Sequence, residues 1–120
     1  MPSTNEHLSK AEHNAWFVNY LGLACGLFRD WRVTGQFYSA LHLVDAYLAI
    51  NGCHPPGHHL RGTYIERDPA LSSIYADYQE LSNLSREARY TNQPLSIQDL
   101  KDSSHSLRVV RQHIRQVLPL

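Results

Sequence analysis

The stretch Asp30–Ile50, DWRVTGQFYSALHLVDAYLAI, followed at once by Asn51-Gly52 and then by Cys53-His54-Pro55-Pro56-Gly57, decides the fold class. Phe37, Leu41, Val44 and Leu48 recur at three- and four-residue intervals, with Trp31, Tyr38 and Tyr47 beside them. This is the apolar stripe of an amphipathic helix. Asn51-Gly52 suits a left-handed C-terminal turn. Two prolines and a glycine in the next five residues then exclude helix, because they interrupt the backbone hydrogen-bond ladder.

The same period extends in both directions. Upstream, Leu8, Ala11, Ala15 and Val18 predict a helix whose stripe Trp16, Phe17 and Tyr20 would widen. Ser3 with Glu6, or Ser9 with Glu12, can box its start, and Gly22 and Gly26 bracket its end. Downstream, His58–Glu66 predicts a short helix. Asp68-Pro69 predicts a restart, an acceptor side chain at the cap followed by a residue whose missing N–H costs nothing there. Leu71, Ile74, Tyr78, Leu81, Ser85 and Ala88 share one face of the helix that follows. Pro94 ends the next linker, Ser96 with Asp99 predicts a capping box, and Leu95 can staple against Leu100. The last stripe is Leu100, Leu107, Val110, Ile114 and Val117. No segment reads as a strand pair, a repeat or low complexity. The expectation is an all-α chain, an antiparallel up-down four-helix bundle with one short extra helix, as a single domain over residues 1–120.

Composition bounds the function. At 120 residues the chain makes one domain, with ~6,600 Å² of folded surface against ~20,000 Å² extended, so no disulfide or metal staple is needed. Eleven acids balance eleven Lys plus Arg, which argues against a strongly basic nucleic-acid tail and against strong nonspecific RNA affinity. No uncharged apolar run approaches the roughly 18 residues of a membrane span. The N-terminus carries charge where a signal peptide carries its apolar stretch. Cys25 and Cys53 are read as reduced thiols, and the expected location is cytoplasmic, with no membrane partner.

Eight histidines are many for this length, and His54, His58 and His59 crowd one loop beside Cys53. Zinc takes such ligands, but the spacing matches no two-plus-two pattern, so neither metal nor cofactor is assigned. His58 and Arg61 would share a helical face and supply a proton-transfer group and a fixed cation for phosphate. Arg86 and Arg89, again three apart and next to Tyr90, can supply further cations, or can simply complement a helix C-terminus. His42 reads as a partly buried, hydrogen-bonded histidine that Asp45 can orient. The last 18 residues carry Arg108, Arg111 and Arg115 and no acid, whereas residues 1–102 carry a net −3. That basic ridge can attract RNA or an acidic partner, or can be a solvated helix face.

The order Asp30-Trp31, Phe37-Tyr38-Ser39-Ala40-Leu41-His42, Val44-Asp45-Ala46-Tyr47, Gly52-Cys53-His54-Pro55, His58-His59-Leu60-Arg61 and Ser85-Arg86-Glu87-Ala88-Arg89-Tyr90 resembles the HEPN (higher eukaryotes and prokaryotes nucleotide-binding) domain. It is most similar to the small single-domain bacterial members, over roughly residues 10–92. The resemblance implies a helical bundle that dimerises through its long helices. Some members are metal-independent ribonucleases of toxin or defence type with an Arg-x4–6-His motif. Others bind RNA or nucleotides, or act as assembly modules beside a nucleotidyltransferase partner. One literal match to the motif exists, Arg108 to His113, with Val109 where a polar residue commonly follows the arginine. Five residues at about 100° each make these two side chains diverge on one helix.

The expected function is therefore a HEPN-like homodimer that binds RNA or a nucleotide through His54, His58, Arg61, Arg86, Arg89 and Tyr90. Arginines would contact phosphate and Tyr90 would stack on a base. The alternatives are a metal-independent endoribonuclease using Arg108 and His113, or the His58/Arg61 and Arg86/Arg89 groups together, and a structural or antitoxin-like partner module. Convergence of these groups in one exposed cleft would mark a site. An acid on every arginine would mark a structural role.

Overall fold

In the computed structural model, which describes residues 1–22 and 28–119, the Asp30–Ile50 stretch forms helix α2 (Arg29–Ile50). It is the most deeply buried element, with Val33, Phe37, Ala40, Val44 and Ala46 all at or near zero exposure. Its end matches its sequence. Gly52 takes φ +71°, the Cys53 N–H donates to the Leu48 carbonyl and the Gly52 N–H to that of Ala49. These bonds satisfy carbonyls that would otherwise lack donors at the helix terminus.

The other helices are α1 (Thr4–Gly22), α3 (His58–Arg67), α4 (Tyr75–Tyr90) and α5 (Ile97–Val117), with a 3-10 turn at Ser72–Ile74. The chain is all-helical among the described residues, and its 13.9 Å radius of gyration is close to the ~13.6 Å of a compact chain of this length. Residue pairings give the helix directions. Thr4 donates to the Ala46 carbonyl and Ser39 to that of Ala11, so α1 and α2 run antiparallel. Arg29 donates to the Leu95 carbonyl and Gln36 to Ser104, so α2 and α5 run the same way. Ser106 meets Asp77 while Leu84 packs with Leu95 and Leu100, so α4 and α5 oppose each other. Among the described elements α1 packs on α2 alone, whereas α2 also carries α4 and α5.

Local signals place most boundaries. Ser3 Oγ accepts from the Glu6 N–H, so α1 starts four residues before the Leu8 stripe. Ser96 and Asp99 form the complete capping box of α5. Gly26 and Cys25 lie outside the described residues.

Two expectations are corrected. Asp68-Pro69 does not cap α4. Asp68 closes α3, and its carboxylate accepts from the Ala70 N–H while its carbonyl accepts from Leu71 and Ser72. That competing local turn delays the α-helix to Tyr75 and still turns Leu71 and Ile74 into the core. Nor do Trp16, Phe17 and Tyr20 widen a buried stripe, since they are 70%, 43% and 74% exposed. Only His7, Ala11 and Val18 of α1 are buried, because α1 has one neighbour and approaches it closely.

That approach depends on Gly35. A Cβ there would meet Val18 Cγ2 at 2.7 Å and Phe17 at 3.4 Å. In an exposed helix Gly→Ala stabilises by about 1 kcal/mol. Here the overlap with a stiff β-branched side chain, typically about 1–3 kcal/mol, opposes it. Gly35→Ala is expected to lower the urea midpoint, and Val18→Ala in the same chain to restore part of the loss. An increase in stability on Gly35→Ala alone would show that α1 does not hold this contact.

Candidate functional site

Arg61 leaves the second turn of α3 and reaches into the protein, where it is 7% exposed. Its Nε donates to Asp45 Oδ1 at 2.7 Å and its Nη2 to Oδ2 at 3.0 Å. Burial alone would lower the guanidinium's pKa, but the Asp45 hydrogen bonds and charge outweigh it and raise the value. Both ends of the carboxylate are thus taken by a planar fork, and His42 is not oriented by Asp45. A bidentate guanidinium satisfies two oxygens at once, which a single imidazole N–H cannot.

His42 pairs instead with His7 of α1, Nδ1 to Nδ1 at 3.0 Å. The ring centres are 5.3 Å apart, and the excess over the nitrogen separation is about one ring radius on each side. The two nitrogens therefore face each other head-on. With both rings neutral, one carries its proton on Nδ1 and donates to the other. Burial lowers the pKa of both. For His7 the Asp45 charge opposes the shift, while for His42 the neighbouring His7 adds to it.

His7, His42 and Asp45 are the only described His, Cys, Asp and Glu side chains whose ligand atoms converge, all within 4.8 Å. The Cys53, His54, His58 and His59 loop holds no such group among the described residues. The trio fits a metal ion poorly. Two imidazoles that share an ion point at it at an angle, whereas these point at each other, and the carboxylate is occupied by Arg61. Burial, with a contribution from Asp45, raises the Cys53 thiol's pKa, so it stays protonated and is a poor ligand.

On the other side of Arg61 lies an open cleft of about 580 Å³ between α3 and α4. His58, Gly62 and Glu66 line one wall, and Tyr78, Ser82 and Arg86 the other. Arg61 Nη1 sits 3.4 Å from His58 Nδ1, and since a guanidinium only donates, the neutral ring carries its proton on Nε2. Burial and then the charges of Arg61, Arg89 and Arg86 lower the pKa of His58, so it is neutral at pH 7. The Tyr78 hydroxyl is buried beside the Arg61 guanidinium. Burial pushes its pKa up to about 12, against the charge of Arg61, which acts to lower it, so it remains a donor.

Of the residues singled out from sequence, His58 and Arg86 line this cleft, and Arg61 does not line it but reaches His58 from the protein interior. Arg89 stands beside it, its Nη1 donating to the Tyr38 hydroxyl at 2.8 Å and its guanidinium 5.6 and 5.2 Å from the Tyr38 and Tyr90 ring centres. Tyr90 is exposed at the end of α4. His54 is half-buried, and its charge bears on His7 rather than on His58. Arg61 is neutralised by its acid, whereas Arg86 and Arg89 make no ion pair among the described residues.

Arg108 and His113 point apart. Arg108 is exposed on the flank of α5 that faces α1, and His113 Nε2 donates to the Ala70 carbonyl. His7 and Tyr78 were not identified as site residues from sequence. A histidine on a polar first turn carries no local sign of its partner 35 residues away, and Tyr78 reads as one member of an apolar stripe.

Searches against protein-family models, curated proteins and solved structures return no match.

The imidazole pair has a pH signature. Unfolded histidines titrate near 6.5, and the native pair below that. The unfolded chain therefore binds protons first, so the pair's stabilisation is complete above about pH 6.5 and declines as the pH falls. The urea midpoint of the wild type should exceed that of His7→Gln/His42→Gln at pH 7.5, and the gap should shrink by pH 5.5. A gap independent of pH would mean that the pair does not titrate in this range.

Proposed function

We propose that this chain is a HEPN-like up-down helical bundle, acting as a homodimer, that binds RNA or a nucleotide at the cleft between α3 and α4. One observation carries the reading. His58 lies in the combined field of Arg61, Arg86 and Arg89, and the last two have no carboxylate of their own among the described residues. Cations left without acids beside an open cleft are what a phosphate group requires. Tyr90, held under Arg89, offers a face for a base. Glu66 on the opposite wall disfavours a continuous phosphate track and favours one or two nucleotides at a time.

A metal-independent endoribonuclease is the second reading, favoured by the neutral His58 beside three arginines. Such a histidine can accept a proton from a ribose hydroxyl while cations stabilise the phosphate charge that develops. The Arg108/His113 pairing has less to recommend it, because His113 is committed to the Ala70 carbonyl.

Fluorescence anisotropy with a short single-stranded RNA and with a mononucleotide tests the site. Arg86→Ala/Arg89→Ala is expected to weaken binding by about tenfold and to flatten its salt dependence. Affinity is expected to rise as the pH falls through the depressed pKa of His58, since protonation adds a cation. Unchanged affinity in the double variant would overturn the reading. Cleavage of the RNA in EDTA, leaving cyclic phosphate ends and lost in His58→Ala, would establish the second reading.

Phe17, Tyr20, Phe28 and Trp31 are exposed at the end where α1 and α2 meet, and this apolar end is proposed as the surface that a second copy covers. Sedimentation velocity should show a dimer that Tyr20→Ser/Trp31→Ser converts to monomer. A wild-type monomer at micromolar concentration would remove the dimer.

A further inference from the structure

The apolar period of α5 is flanked by Arg108, Arg111 and Arg115, spaced three and four apart on one side of the helix. That side faces α1 across an open groove. Between them runs a groove of about 640 Å³ floored by Gln36, Ser39 and Leu43 of α2. Leu8, Ala15 and Trp16 rise on the α1 wall, and Leu107, Ile114 and Leu118 on the α5 wall. The lining runs from Leu8 to Asn19 on α1 and from Ser104 to Leu118 on α5, about 17–21 Å at 1.5 Å per residue. That is the length of three to four helical turns. The helices on either side of the groove are themselves the kind of neighbour that α2 packs against elsewhere.

The charge around the groove is one-sided. Glu12 is the only acid in its lining, against three arginines, and none of these makes an ion pair among the described residues. Arg111 is half-buried, and burial followed by the neighbouring Arg115 lowers its pKa, so it is a cation held at some cost with no anion beside it.

We propose that this groove receives one amphipathic helix of a partner protein, its apolar face on Leu8, Ala15, Trp16 and Leu118, which keep accessible surface in the groove, and a row of acidic side chains along the flank facing Arg108, Arg111 and Arg115. This is recognition of a helix in a groove, with apolar anchors giving affinity and the arginines fixing register and partner choice. The accessible apolar row of Leu8, Ala15 and Trp16 along the α1 wall, and the acid Glu12 beside it, favour a protein helix over RNA. The α3–α4 cleft is formed by different residues, so this inference stands apart from the phosphate-binding reading.

The test uses the whole chain and two 14-residue blocked helical peptides with identical leucines at i, i+3, i+4 and i+7. One carries glutamates along one flank and the other lysines. Anisotropy should show the acidic peptide binding about tenfold tighter than the basic one. Arg108→Glu/Arg115→Glu, both exposed positions that can change without disturbing the fold, should reverse that preference. Arg86→Ala/Arg89→Ala should leave it unchanged. Equal binding of the two peptides, no binding of either, or displacement of the acidic peptide by RNA only when Arg108 and Arg115 are intact would overturn the proposal. So would dissociation of a wild-type dimer by Arg108→Glu/Arg115→Glu, which would show that a second copy fills the groove.

Discussion

The Asp45–Arg61 ion pair is the constraint around which the site is arranged. α3 is short and packs its backbone against α4 and the 3-10 turn, and the Arg61 side chain ties it to α2 across the core. Two buried charges cost several kcal/mol of desolvation each, and only a two-bond fork comes close to offsetting that. Removing one partner would leave the other charged and buried, at about 3–5 kcal/mol. The pair also divides the histidines. On one side of it His7 and His42 share a proton in the interior, and on the other His58 is neutral at the mouth of a cleft. The same guanidinium contributes to lowering all three pKa values, after burial and other nearer charges in the case of the interior pair.

The helices were legible because their signals are local. Period, caps and breakers act within a few residues, and Asn51-Gly52 and Ser96 with Asp99 behave as their chemistry dictates. Asp68 shows the limit of such signals, since an acceptor before proline serves a tight turn as well as a helix start, and its own backbone bonds select the turn. The faces of α1 were illegible for another reason. A helix with Trp16, Phe17 and Tyr20 reads as buried only if something lies over those residues, and the number of neighbours around a helix is a property of the whole chain.

For the site, three-residue spacing paired His58 with Arg61 and Arg86 with Arg89, and their place at a loop and at helix ends suggested that the pairs share one surface. What spacing cannot supply is the partner of each charge. Arg61 is as polar in sequence as Arg86, yet one is spent on a buried acid and the other stands at the surface. Asp45, which decides between them, lies 16 residues from Arg61 beyond a proline-rich turn. His42 was expected to be hydrogen-bonded and is, but to a residue on another helix.

The one-sided attachment of α1 bears on how the molecule opens. The contacts of α2 with α4 and α5, from the Val33–Leu84–Leu95 cluster to Phe37 against Tyr78, do not involve α1. α1 gives the main core only Ala11, with Leu8 packed at its margin, so it is expected to open at a lower free energy than the rest, uncovering one side of that core as it does. Its backbone amides would then exchange with solvent sooner than those of α2. Each such event would uncover the Ser39 and Gln36 face of α2 and leave the imidazole of His42 without its neighbour.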